Sequence, residues 1–249
     1  MRHISVCSSA LALVLSCTMS NPSPLDRSTS ESPVAAPITA ESHSGARSVH
    51  FDETTFRMGA ADRDPDQRPV HAVHLRAFDI DLSEVTVRDY EECVSAGACR
   101  PLPTVVEEEG AMAEETVSLE CNGGLTDRLD QPVGCVDWSM AARYCEWSGG
   151  RLPTEEEWEF GACGGSCSEP HASGARVDSI LSQEGPSYVW EWTSSAYCPY
   201  PHRACGDARR VVRGGSSVEL FRDRLTARSP MAISTRSPYL GFRCARSAS

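Results

Sequence analysis

Ten cysteines lie between Cys93 and Cys244, and that even set constrains the chain more than any other feature. In an oxidising compartment it means five cross-links, and a fold stapled in this way needs little regular secondary structure to hold together. Close spacing pairs Cys93 with Cys99, Cys163 with Cys167 and Cys198 with Cys205, while Cys121 with Cys135 closes a longer loop. Cys145 and Cys244 remain; joining them closes a loop of about a hundred residues, worth ~4–5 kcal/mol in the chain-entropy account. Zinc is the competing use of such residues. The span from Cys163 to Cys167 would suit it, but no second tightly spaced Cys/His pair is present, and His71 and His74 fall on opposite faces of a strand.

The N-terminus points to the oxidising compartment. Arg2 and His3 precede the apolar run Ala10 to Leu15, followed by Ser16 and Cys17, so residues 1–16 read as a signal peptide. Val14-Leu15-Ser16-Cys17 resembles the bacterial lipobox, in which the cysteine is lipidated and becomes the first residue of the mature chain. Residues 17–47 are rich in Ser, Pro and Ala, cannot repay their ordering entropy by burial, and read as a disordered tether. Residues 48–249 then form one domain. No apolar run reaches the ~18 residues of a spanning helix, so attachment to the membrane is expected through lipid on Cys17. Thr18-Met19 carries no acidic retention signal, which favours the outer membrane or the cell surface.

Charge excludes some partners. The formal net charge is −12, which argues against a general nucleic-acid binder. All 23 basic residues are arginine, so the presence of an arginine is by itself weak evidence of function. Residues 199–249 hold 10 Arg against 3 acids, and the remainder is strongly acidic, so the two parts are expected to neutralise each other inside one domain.

Local patterns give a short list of elements. Val70 to Phe78 reads as a strand and Asp79 to Glu84 as a turn. Thr86 with Asp89 starts a helix that buries Val87, Tyr90 and Val94 and stops at Gly97. A second helix runs from about Ser139 to Ser148, with Ala141, Tyr144 and Cys145 inward and Gly149-Gly150 ending it. Thr154-Glu155-Glu156-Glu157 is a capping box that starts a third, and Arg210 to Arg213 reads as a strand. Glu107-Glu108-Glu109 and Glu114-Glu115 read as a solvated insertion. The class is α+β, low in regular structure and disulfide-stapled.

Three dense runs carry a family resemblance: Gln131-Pro132-Val133-Gly134-Cys135-Val136-Asp137-Trp138, Ala141-Ala142-Arg143-Tyr144-Cys145-Glu146-Trp147 and Arg151-Leu152-Pro153-Thr154-Glu155-Glu156-Glu157-Trp158-Glu159. Phe56-Arg57-Met58-Gly59 precedes them. Val189-Trp190-Glu191-Trp192-Thr193, Val212-Arg213-Gly214-Gly215-Ser216 and Gly241-Phe242-Arg243-Cys244 follow in order. Together they resemble the formylglycine-generating enzyme, or sulfatase-modifying factor, family. The resemblance implies an α+β fold related to the C-type lectin fold, with a long-range disulfide matching Cys145–Cys244. It also implies oxidation of a sulfatase cysteine to formylglycine by copper held on two cysteines.

The pattern is broken where that chemistry would sit. The position of the first catalytic cysteine is Glu219, the second is missing as well, and the asparagine expected before Leu240-Gly241-Phe242-Arg243 is Tyr239. A carboxylate is a hard ligand and does not replace two soft thiolates for Cu(I), so no copper is expected. Trp190, Ser216 and Glu219 remain as residues of the old groove. The resemblance also implies a structural Ca²⁺ on Glu184, Ser187, Val189 and Glu191, oxygen ligands of the right hardness, unless Glu191 simply caps a buried loop. A domain displayed on the envelope and binding a peptide, glycan or protein partner without catalysis is the expectation. A sulfatase-modifying oxidoreductase, or another enzyme working in the same groove, is the alternative.

Overall fold

Phe78 and Ile80 are buried in a strand, not a turn. In this computed structural model residues 47–109, 116–165, 167, 189–202, 208–215 and 225–248 are described. The expected single strand from Val70 divides into β3 (His71–Leu75) and β4 (Phe78–Asp81). The expectation of a turn at Asp79 failed because the acidic residues mask the alternation of Phe78 and Ile80. Asp79 instead meets His50 across a strand pair, and Asp81 meets Arg246.

Three helices follow from their caps. In α1 (Val87–Ser95) the Thr86 hydroxyl accepts the Asp89 N–H and the Asp89 carboxylate accepts the Thr86 N–H, and Val87, Tyr90 and Cys93 face the core. The chain leaves it at Gly97, whose φ of 71° a side chain would resist. Helix α2 (Trp138–Trp147) starts one residue earlier than the sequence suggests, because Asp137 caps it through the Met140 N–H; Met140, Ala141, Tyr144 and Cys145 are buried. Helix α3 (Glu155–Ala162) has the Thr154–Glu157 capping box. It buries Glu155, Glu157 and Glu159 along with Trp158 and Phe160, and three buried carboxylates require cationic partners.

Two sheets frame these helices. One runs in the order β1 (Ser48–Phe51), β4, β11 (Ala245–Ser247), all antiparallel. The other runs β10 (Leu240–Gly241), β7 (Trp190–Ala196), β8 (Arg210–Gly214), β9 (Arg228–Met231), with β10 parallel to β7. Strand β2 (Thr54–Met58) pairs with β3 in a separate ribbon. The segment read as a solvated insertion is a second ribbon, β5 (Val105–Glu109) against β6 (Thr116–Glu120). Its base is fixed where Val106 and Leu119 pack on Cys121 and Cys135. One core gathers α1, α2 and the β7–β8–β10 sheet; a second gathers β1 to β4 around α3.

Disulfides join Cys93 to Cys99, Cys121 to Cys135, Cys145 to Cys244, and Cys163 to Cys167. Cys198 is disulfide-bonded too. Cys205 and Cys17 lie outside the described residues. Among the described residues no helix is long and apolar enough to cross a membrane.

Candidate functional site

Strand register places Trp190, one of the three expected groove residues, at one end of the β7–β8–β10 sheet. Trp190 lies opposite Gly214 on one side and beside Leu240 on the other. Its N–H donates to the Tyr239 carbonyl at 2.8 Å. Trp190 is half-buried and Tyr239 is 40% exposed, so the start of the Gly214-Gly215 run sits next to an accessible aromatic edge. Gly214 needs its φ of 91°, and a Cβ there would press on the Val189 carbonyl and the Trp158 ring. Ser216, Glu219, Glu184 and Ser187 lie outside the described residues.

Glu191 is already neutralised. Its Oε2 accepts from Arg243 Nε at 2.6 Å and from Trp158 Nε1 at 2.9 Å, and its Oε1 accepts from Arg243 Nη2 at 2.8 Å. All of this is buried. The Arg243 Nη1 donates to the carbonyls of Asp81 and Leu82, and Glu84 stands 3.6 Å away. Burial alone would lower the Arg243 pKa; Glu191, Glu84 and Asp81 hold it well above the ordinary value. A bidentate guanidinium thus engages both Glu191 oxygens inside the core. Glu184 and Ser187, the other side-chain positions expected at a calcium site with Glu191, lie outside the described residues. The sequence gives no spacing rule for a partner 52 residues away, which is why Arg243 was missed.

A second buried ion network lies under β8. Arg213, fully buried, pairs with Glu159 and Glu155 of α3 and donates to the carbonyls of Leu225 and Thr226. It precedes the Gly214-Gly215 run and bonds the chain just beyond residue 224, so one side chain ties both ends of the segment 216–224. Arg228 binds both oxygens of Glu155 and donates to the Cys198 carbonyl. Tyr200 donates to Glu155 at 2.8 Å, and burial pushes its phenol far up. Glu159 also accepts the Gly59 N–H at 2.8 Å. Every residue of the cluster has a charged or hydrogen-bonded partner, and Arg213 Nε is its one buried donor without one among the described residues.

The family's copper chemistry needs thiolates, and the described part of the chain has no free thiol to give. Each described cysteine is disulfide-bonded. Between Cys205 and Cys244 the sequence contains no cysteine. The donor set does not fit Cu(I). Among the described residues no cluster of three or more His, Cys, Asp or Glu side chains could hold a metal ion.

Comparison with known proteins agrees with the fold. The model for the sulfatase-modifying factor enzyme 1-like domain matches residues 34–185 and 188–248. The inactive C-alpha-formylglycine-generating enzyme 2 of Mus musculus is 29% identical over 271 residues, covering 80% of this chain and 85% of that protein. The formylglycine-generating enzyme of Streptomyces coelicolor is 28% identical over 259 residues, covering 73% and 82%. The solved structure of PvdO from Pseudomonas aeruginosa superposes with a TM-score of 0.61 at 19% identity, covering 87% of this chain and 100% of that one, a likeness of fold.

Proposed function

We propose, from the premise that the chain belongs to the sulfatase-modifying factor enzyme 1-like family, that its domain no longer oxidises cysteine and instead binds a partner at the bacterial envelope. One observation carries this: the thiols that the family chemistry needs are missing, with Glu219 at the first position and every described cysteine committed to a disulfide. The scaffold around that gap is intact. Arg213 bonds the chain at Leu225 and Thr226, and Trp190 and Tyr239 form an accessible edge beside Gly214. The name of the murine relative, an inactive formylglycine-generating enzyme, is in keeping with loss of catalysis in a retained fold. A peptide, glycan or protein is the class of partner a groove of this kind holds. Lipid on Cys17 and the tether to residue 47 would display the domain on the outer membrane or cell surface. Arg243 supplies beside Glu191 the positive charge that calcium would otherwise provide.

The test is coexpression of the full chain with a sulfatase-motif peptide, copper being supplied, followed by mass measurement at the peptide's cysteine. Unmodified cysteine is expected. Conversion to the aldehyde, or stoichiometric Cu(I) on the purified protein, would overturn the assignment.

A further inference from the structure

A cavity of about 390 Å³ opens between the end of α1 and the first turns of α2, lined by Tyr90, Ala98, Arg100, Ser139, Met140 and Arg143, with Gly97 and Cys99 completing the rim. That volume falls in the range of small-ligand sites, roughly 300–1,000 Å³. Its rim is rigid. The disulfide Cys93–Cys99 closes the loop, the amides of Gly97, Ala98 and Cys99 bond back to Val94 and Cys93, and the Tyr90 hydroxyl holds the Arg100 carbonyl at 3.1 Å. The Arg143 Nε grips the Ala98 carbonyl at 3.1 Å, so both arginines are anchored to the same loop.

Both guanidinium groups nevertheless keep donors in hand. Arg100 reaches Ser139 at 2.9 Å and Asp137 at 3.3 Å through Nη2 alone, so its Nε and Nη1 have no partner among the described residues. Besides the Ala98 carbonyl, Arg143 meets Glu146 at 3.7 Å, a mostly exposed pair, and its Nη2 is unengaged among the described residues. Asp137 is shared between Arg100 and a closer partner. It caps α2, accepts the Ser139 hydroxyl, and takes Arg236 at 2.6 Å. Burial would raise the Asp137 pKa, but the Ser139 hydroxyl, Arg236 and the Met140 amide bring it below the ordinary carboxylate range, so it stays anionic and committed.

We propose that this cavity binds the carboxylate of a small organic acid or peptide C-terminus, forked by Arg100 and Arg143, with its apolar body against Met140, Ala98 and the Cys93–Cys99 bridge. A single negative charge fits better than phosphate. The loop amides are already bonded, and the Ser139 hydroxyl donates to Asp137, so guanidinium donors are all the site offers. This holds whether or not the family groove binds anything.

The experiment titrates the full chain by NMR with four probes: N-acetyl-leucine, N-acetyl-leucine amide, hexanoate and inorganic phosphate. Saturable shifts at the amides of Gly97, Cys99 and Ser139 are expected with the acids and not with the amide, weakening as salt is added. Preference for N-acetyl-leucine over hexanoate would identify a peptide C-terminus as the source, and the reverse a free acid. Arg100→Gln and Arg143→Gln should each weaken binding about tenfold. Arg88→Gln, which removes the same charge from an exposed pair with Asp130, should leave it unchanged. Both arginines are more than half exposed, so the variants should fold, and the acid-against-amide comparison on the unaltered chain stands without them. Equal response to acid and amide, no saturable shift with either acid, tighter binding of phosphate, or indifference to both Arg→Gln changes would overturn the site.

Discussion

Glu191 and Arg243 form a pair whose worth depends on both members being present. Two charges at hydrogen-bond distance in a buried site repay desolvation only through their mutual bonds, and here the guanidinium also satisfies the carbonyls of Asp81 and Leu82. Arg243→Met therefore leaves a buried carboxylate held only by the Trp158 N–H and takes the guanidinium donors from two carbonyls. A loss of about 3–5 kcal/mol is expected, read as a lower urea midpoint at unchanged slope. With both Glu191 oxygens bonded to Arg243, adding Ca²⁺ or EDTA to the unaltered protein should not move its melting temperature. A calcium-dependent rise would show that an ion still binds at this motif.

At the scale of the element, α3 is where local and distant interactions meet. Thr154 and Glu157 cap it reciprocally, and Arg151 binds both oxygens of Glu157, at 2.6 and 2.7 Å. Thr154→Ala removes one half of the box and should cost about 1 kcal/mol in urea unfolding. A loss of only a few tenths would mean that Arg151 fixes the start of α3 unaided. The cap was legible in the sequence because it satisfies donors within three residues of the Thr, as were Thr86 with Asp89 and the stop at Gly97. What the helix carries was not legible. Glu155 and Glu159 look like ordinary surface acids, yet their partners Arg228 and Arg213 lie 73 and 54 residues away. Asp79 misled for the opposite reason: a polar residue between Phe78 and Ile80 suggests a turn, while strand geometry merely turns it outward, to His50. The groove was legible only as far as Trp190 and the Gly214-Gly215 run, which strand pairing sets side by side. The Arg100–Arg143 cavity was invisible, because arginine is the chain's sole basic residue and only geometry distinguishes one copy from another.

Across the molecule, the basic C-terminal part locks into the acidic remainder through buried or half-buried pairs: Arg213 and Arg228 on α3, Arg236 on Asp137, Arg243 on Glu191, Arg246 on Asp81. The segment from Leu240 to Ser247 holds the two sheets together. Leu240 and Gly241 add to β7, Ala245 to Ser247 add to β4, and Phe242, Cys244 and Ala245 are fully buried between those pairings. Leu240, Phe242 and Cys244 belong to the core around α1 and α2, and Ala245 to the core around α3. The Cys145–Cys244 bridge fixes this segment to α2 across a separation of 99 residues. Its removal in Cys145→Ala/Cys244→Ala, the other bridges left intact, should cost about 4–5 kcal/mol through the freedom regained by the unfolded chain. Because the segment belongs to both cores, the loss should be global: hydrogen-exchange protection should fall together in α2, β4 and β7. If protection fell only in β10 and β11, the cores would be stable without the segment, and the ion pairs of the basic part, not the bridge, would be what joins the two sheets.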